Sequence, residues 1–343
     1  MPIDDTLAQF SDWSFRSAFG VFVLASVFLV AQFATRTVAA DDRKRELVAA
    51  GDSGRPAANV PGRIAANVPG RIEPTPSRPK SEKYGGMGHA LVVLGLLLTV
   101  ASIVLRGLAT DRFPLGNMYE FVTMACAAAV VTGLVALRGQ RHTQVFVVVP
   151  VMILMFLAAT VLYADAAPVV PALRSYWLPI HVTIVSVGSG IFLVAGVASL
   201  LFLLKMRVAG TGSEVTAGTD SGDTAASGGA LARFARRLPA AQTLDRLAYK
   251  TTIIGFPLFG AGVILGAIWA EAAWGRFWGW DPKETVSFIA WVVYAAYLHA
   301  RATSGWRNTR AAWINVAGFV AMLFNLFIIN MVVSGLHSYA GLN

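Results

Sequence analysis

The chain is short of charge. Aspartate, glutamate, lysine and arginine make up 14% of its 343 residues, while 56% are hydrophobic, and the mean hydropathy is +0.60. A soluble domain carries about a quarter charged residues, so a water-soluble globular protein is excluded. Cysteine is nearly absent. Cys126 stands alone in an apolar run, which excludes an internal disulfide and a CxxC redox relay and reads as a small buried hydrophobe. The short alternating segments of a transmembrane β-barrel are missing too. Histidine is scarce, with five in the chain, so each can be weighed by itself.

Long apolar runs are abundant instead. A helix needs about 20 apolar residues to cross a bilayer core. Eight stretches qualify: 17–38, 87–107, 118–137, 144–163, 180–204, 250–270, 284–300 and 311–334. The expected fold is all-α, a polytopic membrane protein with about eight transmembrane helices. The first run follows an acidic leader, MPIDDTLAQFSDW, where a secretory signal would be basic. It reads as a retained helix.

Of the 28 lysines and arginines, 22 lie at Arg36 and in 40–86, 138–143, 205–250 and 301–310; the other six are Arg16, Arg106, Arg112, Arg174, Arg276 and Lys283. Basic loops stay in the cytoplasm. Both termini are therefore expected on the extracytoplasmic side of the plasma (cytoplasmic) membrane. The net charge of +9 then faces anionic membrane lipid, with no role for nucleic acid. Five segments follow. Residues 1–39 form an N-terminal transmembrane helix, 40–86 a cytoplasmic disordered linker, and 87–205 helices two to five. Residues 206–248 form a cytoplasmic flexible linker, and 249–343 the last three helices. The first linker repeats AANVPGRI at 57–64 and 65–72, two copies that fall short of a solenoid. The second is rich in glycine, serine and threonine.

The most informative stretch is WGRFWGWDPKET at 274–285, between the sixth and seventh spans on the extracytoplasmic side. Trp274, Trp278 and Trp280, interleaved with glycine and closed by charges, make an apolar platform with a polar rim. Indoles are common at membrane interfaces, but this density suits a planar, amphipathic ligand such as a porphyrin. Asp281 followed by Pro282 fits a helix start, with aspartate as cap and proline at the first position. Arg276 and Lys283 are the loop's cations, suited either to a ligand's carboxylates or to lipid headgroups. Asp281 and Glu284 are expected to orient backbone amides, indole N–H groups or cations.

His142 reads as a solvated loop residue and His89 as an interfacial one. His181 opens the fifth span and His337 follows the eighth, both at the depth of the tryptophan loop. They are either interfacial residues or a pair of axial ligands to haem iron. His299 lies about 22 Å below the outer face. It is either a functional intramembrane group or a histidine reaching inward beside Arg301. Asn117, Tyr119 and Glu120, just outside the third span, read as interfacial anchors.

These stretches resemble the haem-handling WWD family of cytochrome c biogenesis proteins, in its CcsA/ResC branch. The resemblance is carried by RGLATDRFPLGNMYEF at 106–121, WLPIHVT at 177–183, GAIWAEAAWGRFWGWDPKET at 266–285, YLHAR at 297–301 and GLHSYAG at 335–341. The chain departs from the family pattern at Glu271-Ala272-Ala273 and at Val286. The resemblance implies that His181 and His337 are axial ligands to haem b held at the tryptophan loop. It implies that His299 is the intramembrane histidine of the haem route. Trp274, Gly275, Trp278, Trp280, Asp281, Pro282 and Glu284 match the WWD segment. It further implies a ResB-type membrane partner, apocytochrome c with a CxxCH segment as substrate, and an indirect link to thiol-reducing proteins. The implied role is a component of a holocytochrome c synthase (haem lyase), with no catalytic residue identified. A contact of the 117–120 segment with haem or partner is also implied. Two rival readings remain: a haem exporter without ligation activity, and an unrelated transporter using histidines as a proton relay.

Overall fold

In lipid, backbone N–H and C=O groups must be satisfied within the chain, and a helix does this segment by segment. The computed structural model describes residues 3–52, 80–169, 173–216, 229–306 and 308–337, with the backbone alone for 36–52 and 210–216. Among the described residues there are nine α-helices, one 3-10 turn and no strand. The helices are α1 (Asp5–Asp52), α2 (Lys80–Thr110), α3 (Met118–Ala136), α4 (Val145–Thr160), α5 (Trp177–Thr216), α6 (Ala230–Arg237), α7 (Ala241–Trp274), α8 (Pro282–Ala302) and α9 (Thr309–Met331).

Seven helices are long and apolar enough to cross a membrane: α1 to α5, α7 and α9. The eighth expected span is present as α8, but it is not one of these seven. Lys283 and Glu284 occupy its first turn, and His299 and Arg301 its last. Its 21 residues still span about 31 Å, and it runs antiparallel to both α7 and α9. Arg301 at its end pairs with Asp245 at the start of α7, at 2.7 Å. Asp281 at its start meets His337 beyond α9, at 2.8 Å.

Helix also occupies parts of both stretches read as linkers. α1 continues to Asp52 and α2 begins at Lys80; α5 continues to Thr216, and α6 lies wholly within 206–248. Hydropathy marks only the apolar part of a helix. Flanks rich in alanine, glutamate, arginine and lysine have high helix propensity and prolong it. The tandem octapeptide at 57–72 lies outside the described residues.

The helices alternate in direction. The Asp4 N–H donates to the Ala109 carbonyl at 3.0 Å, which sets the start of α1 beside the end of α2. There Glu120, only 3% exposed, takes Arg106 at 3.2 Å and Arg112 at 2.9 Å. Arg106 also lies 3.5 Å from Asp12 and donates to the Ala164 carbonyl beyond α4. The starts of α1, α3, α5 and α8 and the ends of α2, α4, α7 and α9 thus share one end of the bundle. α5 is central, packed against α3, α7 and α9. At Gly190 a Cβ would strike the Ala125 carbonyl of α3, so glycine there allows the close approach that packs helices in lipid. Phe192 of α5 stacks on Tyr294 of α8 at 3.6 Å between centroids.

Candidate functional site

At that shared end a cavity enclosing about 1180 Å³, open mouth included, runs down between α5, α7, α8 and α9. Its α7 wall extends from Trp274 to Phe259, about 22 Å along the helix. The 115–118 segment before α3 forms one lip, and Asn117 there also caps α3 by accepting from the Glu120 N–H at 2.9 Å.

His181 stands in the first turns of α5. Its Nδ1 donates to the Gly262 carbonyl of α7 at 2.7 Å. A Cβ on Gly266 would lie 2.6 Å from the imidazole Cε1, so this face of α7 makes room for the ring. One turn on, Trp269 lies parallel to His181, with 6.1 Å between centroids and 6° between planes. Trp269 is 1% exposed. It packs edge-on against Trp274 at 4.8 Å.

α7 ends at Trp274 because Gly275 adopts the left-handed conformation, φ +70°, and its N–H closes on Glu271 O at 2.8 Å. This is the usual glycine stop. The loop then turns into α8 through a capping box. The Asp281 carboxylate accepts from Lys283 N, while Glu284 accepts from Gly279 N at 2.9 Å and from Asp281 N at 3.1 Å. Trp280 is held at φ +57°, a region costly for a bulky residue. Its ring is 67% exposed and points away from the cavity.

Asp281 does more than cap the helix. It accepts from Leu336 N at 2.8 Å and from His337 Nδ1 at 2.8 Å, so the loop before α8 grips the segment after α9. A Cβ on Gly335 would lie 2.7 Å from Asp281 Oδ1. Burial works to raise the Asp281 pKa, but the hydrogen bonds from His337 and Leu336 outweigh it and hold the carboxyl below its ordinary value. Burial lowers the His337 pKa against the pull of Asp281, which favours the neutral imidazole. The His337 ring lies 5.9 Å from Trp269 and 5.0 Å from Trp274.

The two histidines, 156 positions apart in the sequence, thus flank one indole at the mouth of one cavity. Both acceptors fix Nδ1 as the donor, which puts the lone pair of each ring on Nε2. Among the described residues no group of three or more His, Cys, Asp or Glu side chains is placed to hold a bare metal ion. A pair of imidazoles beside indole walls fits a metal that brings its own equatorial ligands, as haem does. Lys283 lines the cavity, and its Nζ donates to Asn330 Oδ1.

Of the residues singled out in the sequence, His181, His337, Trp274, Trp278, Lys283 and Glu284 line the cavity. Gly275, Arg276, Trp280, Asp281 and His299 do not. Gly275 and Asp281 act through the backbone and through His337. The Arg276 guanidinium occupies the space where a Gly279 side chain would be. His299 is exposed on the outward face of α8, in line with Phe288, Ile289 and Val292, about 26 Å along the helix from Pro282. Glu120 is committed to its two arginines and stands behind the lip. Trp269 and Phe277, both lining residues, were not anticipated. The signal for Trp269 was there, since Gly262, Gly266 and Trp269 recur on one helical face.

The sequence model of the family described as cytochrome C assembly protein matches residues 115–337. The cytochrome c biogenesis protein CcsA of Gloeobacter violaceus is 35% identical over 295 residues, covering 75% of this chain and 87% of the relative. CcsA of Parasynechococcus marenigrum is 36% identical over 271 residues, covering 76% and 88%. CcsA of Microcystis aeruginosa is 33% identical over 286 residues, covering 74% and 87%.

Proposed function

From the premise that this chain belongs to the CcsA family of cytochrome c assembly proteins, and so serves cytochrome c biogenesis, we propose that it binds haem b. The haem sits in the cavity between His181 and His337, for presentation to apocytochrome c. The observation that carries this reading is the pair of imidazoles around Trp269, each with Nδ1 engaged and Nε2 left to coordinate. Trp274 and Trp278 supply apolar walls, with aromatic contacts of about 0.5–1.5 kcal/mol per pair beyond area burial. Lys283, anchored by Asn330, offers a cation to a propionate.

Haem supplies the reactive vinyl groups, and the CxxCH thiols of the substrate add across them. This chain contributes position and ligation. Its one cysteine is buried in α3 and takes no part. The basic surplus of the opposite end places the cavity on the extracytoplasmic side of the plasma membrane. His299, on the outward face of α8, suits a site shared with a ResB-type membrane partner, where haem passes before reaching the cavity. Thiol-reducing proteins act on the substrate, one step removed.

The test is a spectrum of the detergent-purified protein. The wild type is expected to give a six-coordinate, bis-histidine Soret band. His181→Ala and His337→Ala are each expected to weaken it, with partial restoration by added imidazole. His299→Ala is expected to keep it. Unchanged spectra in both outer-histidine variants would sink the assignment. Covalent haem on a co-expressed apocytochrome separates a synthase component from an exporter, which would release only free haem.

A further inference from the structure

The two histidines are held by unlike acceptors. His181 donates to Gly262 O at 2.7 Å, a neutral carbonyl inside α7. His337 donates to Asp281 Oδ2 at 2.8 Å, a carboxylate whose side chain is 5% exposed. That carboxylate is fixed from three sides, by His337, by the Leu336 N–H at 2.8 Å and by the Lys283 N–H at 3.3 Å. An acceptor on Nδ1–H raises the basicity of the opposite nitrogen, and a carboxylate does so more than a carbonyl. His337 is therefore the stronger donor through Nε2, and His181 the weaker.

We propose that the two positions are not interchangeable: Asp281 makes His337 the retained ligand, and His181 is exchanged for the histidine of the incoming CxxCH segment. The inference rests on the haem site proposed above. In the exchange, the bond from iron to His181 Nε2 breaks and one to the substrate imidazole forms. Both ligands are neutral donors of an electron pair, so no electron or proton is gained or lost at iron. Asp281 is a positioning residue in this scheme, acting on haem through His337. Gly335 belongs to the same device, because a Cβ there would lie 2.7 Å from Asp281 Oδ1.

The experiment titrates haem-loaded, full-length protein with a thiol-free peptide of the pattern SxxSH, followed by the Soret band and by the midpoint potential. In His181→Ala the peptide meets no protein ligand and is expected to bind at least ten-fold more tightly than to wild type. In His337→Ala, where the weaker ligand remains, no such gain is expected. Asp281→Asn and Gly335→Ala are both expected to raise the midpoint potential, and His181→Ala is expected to leave the hydrogen bond behind that shift intact. A gain confined to His337→Ala, or equal in both variants, overturns the proposal. So does a His181→Ala protein that holds no haem even with imidazole. Potentials unmoved in both Asp281→Asn and Gly335→Ala overturn the role of Asp281. A wild-type protein with no haem band fails the proposed function itself, which is a separate result.

Discussion

Trp280 and Trp278 stand two positions apart in the same motif, yet their surroundings differ. Trp278 lines the cavity, whereas Trp280 is 67% exposed and meets it edge-on at 5.7 Å. A residue outside the cavity contributes no area to a ligand within it. Trp278→Ala is therefore expected to lower haem affinity, whereas Trp280→Ala is expected to keep the Soret band of the wild type; haem titration of the two variants checks this. The motif marked the segment but not the direction of each ring. Side-chain direction in a seven-residue loop depends on backbone dihedrals such as φ +57° at Trp280, and composition does not encode them. His181 and His337 were legible as candidates because both fall at span ends on one side. What each Nδ1 would meet was not legible, since Gly262 and Asp281 are distant in sequence.

Among the elements, the turn from α7 into α8 is the most closely determined. Gly275, Asp281, Pro282 and Glu284 are local signals for a stop, a cap and a start, and each acts as its residue type predicts. Glu284 accepts two backbone N–H groups. Glu284→Ala is expected to cost about 1 kcal/mol, a typical cap value. It should also speed hydrogen exchange at Gly279 and Asp281, measured by mass spectrometry, before any global change. α8 shows where hydropathy falls short. Its charged ends keep it out of the apolar set, while contacts with α7 and α9 hold it along the bundle.

Over the whole molecule, the buried cluster of Asp12, Arg106, Arg112 and Glu120 joins the ends of α1, α2 and α3 behind the cavity lip. Breaking one partner of a buried ion pair leaves an uncompensated charge and costs about 3–5 kcal/mol. Glu120→Gln is expected to lower the thermal midpoint in detergent, together with haem retention, because Asn117 and the lip move with α3. Orientation has its own test. Cys126 is 1% exposed, so a cysteine introduced at Arg276 gives little background. Membrane-impermeant maleimide should label Arg276→Cys in intact cells and leave Arg310→Cys unlabelled; the reverse pattern would invert the topology.

Local order and membrane class follow from the sequence alone, because apolar run length, basic-residue bias, caps and glycine stops act over one or two helical turns. The tertiary structure decided which distant groups meet. It set His181 against Gly262, His337 against Asp281, and Trp269 beside both rings, and it turned His299 outward. Those choices depend on helix rotation and close approach at glycines such as Gly190 and Gly266, which arise only when all the helices pack together.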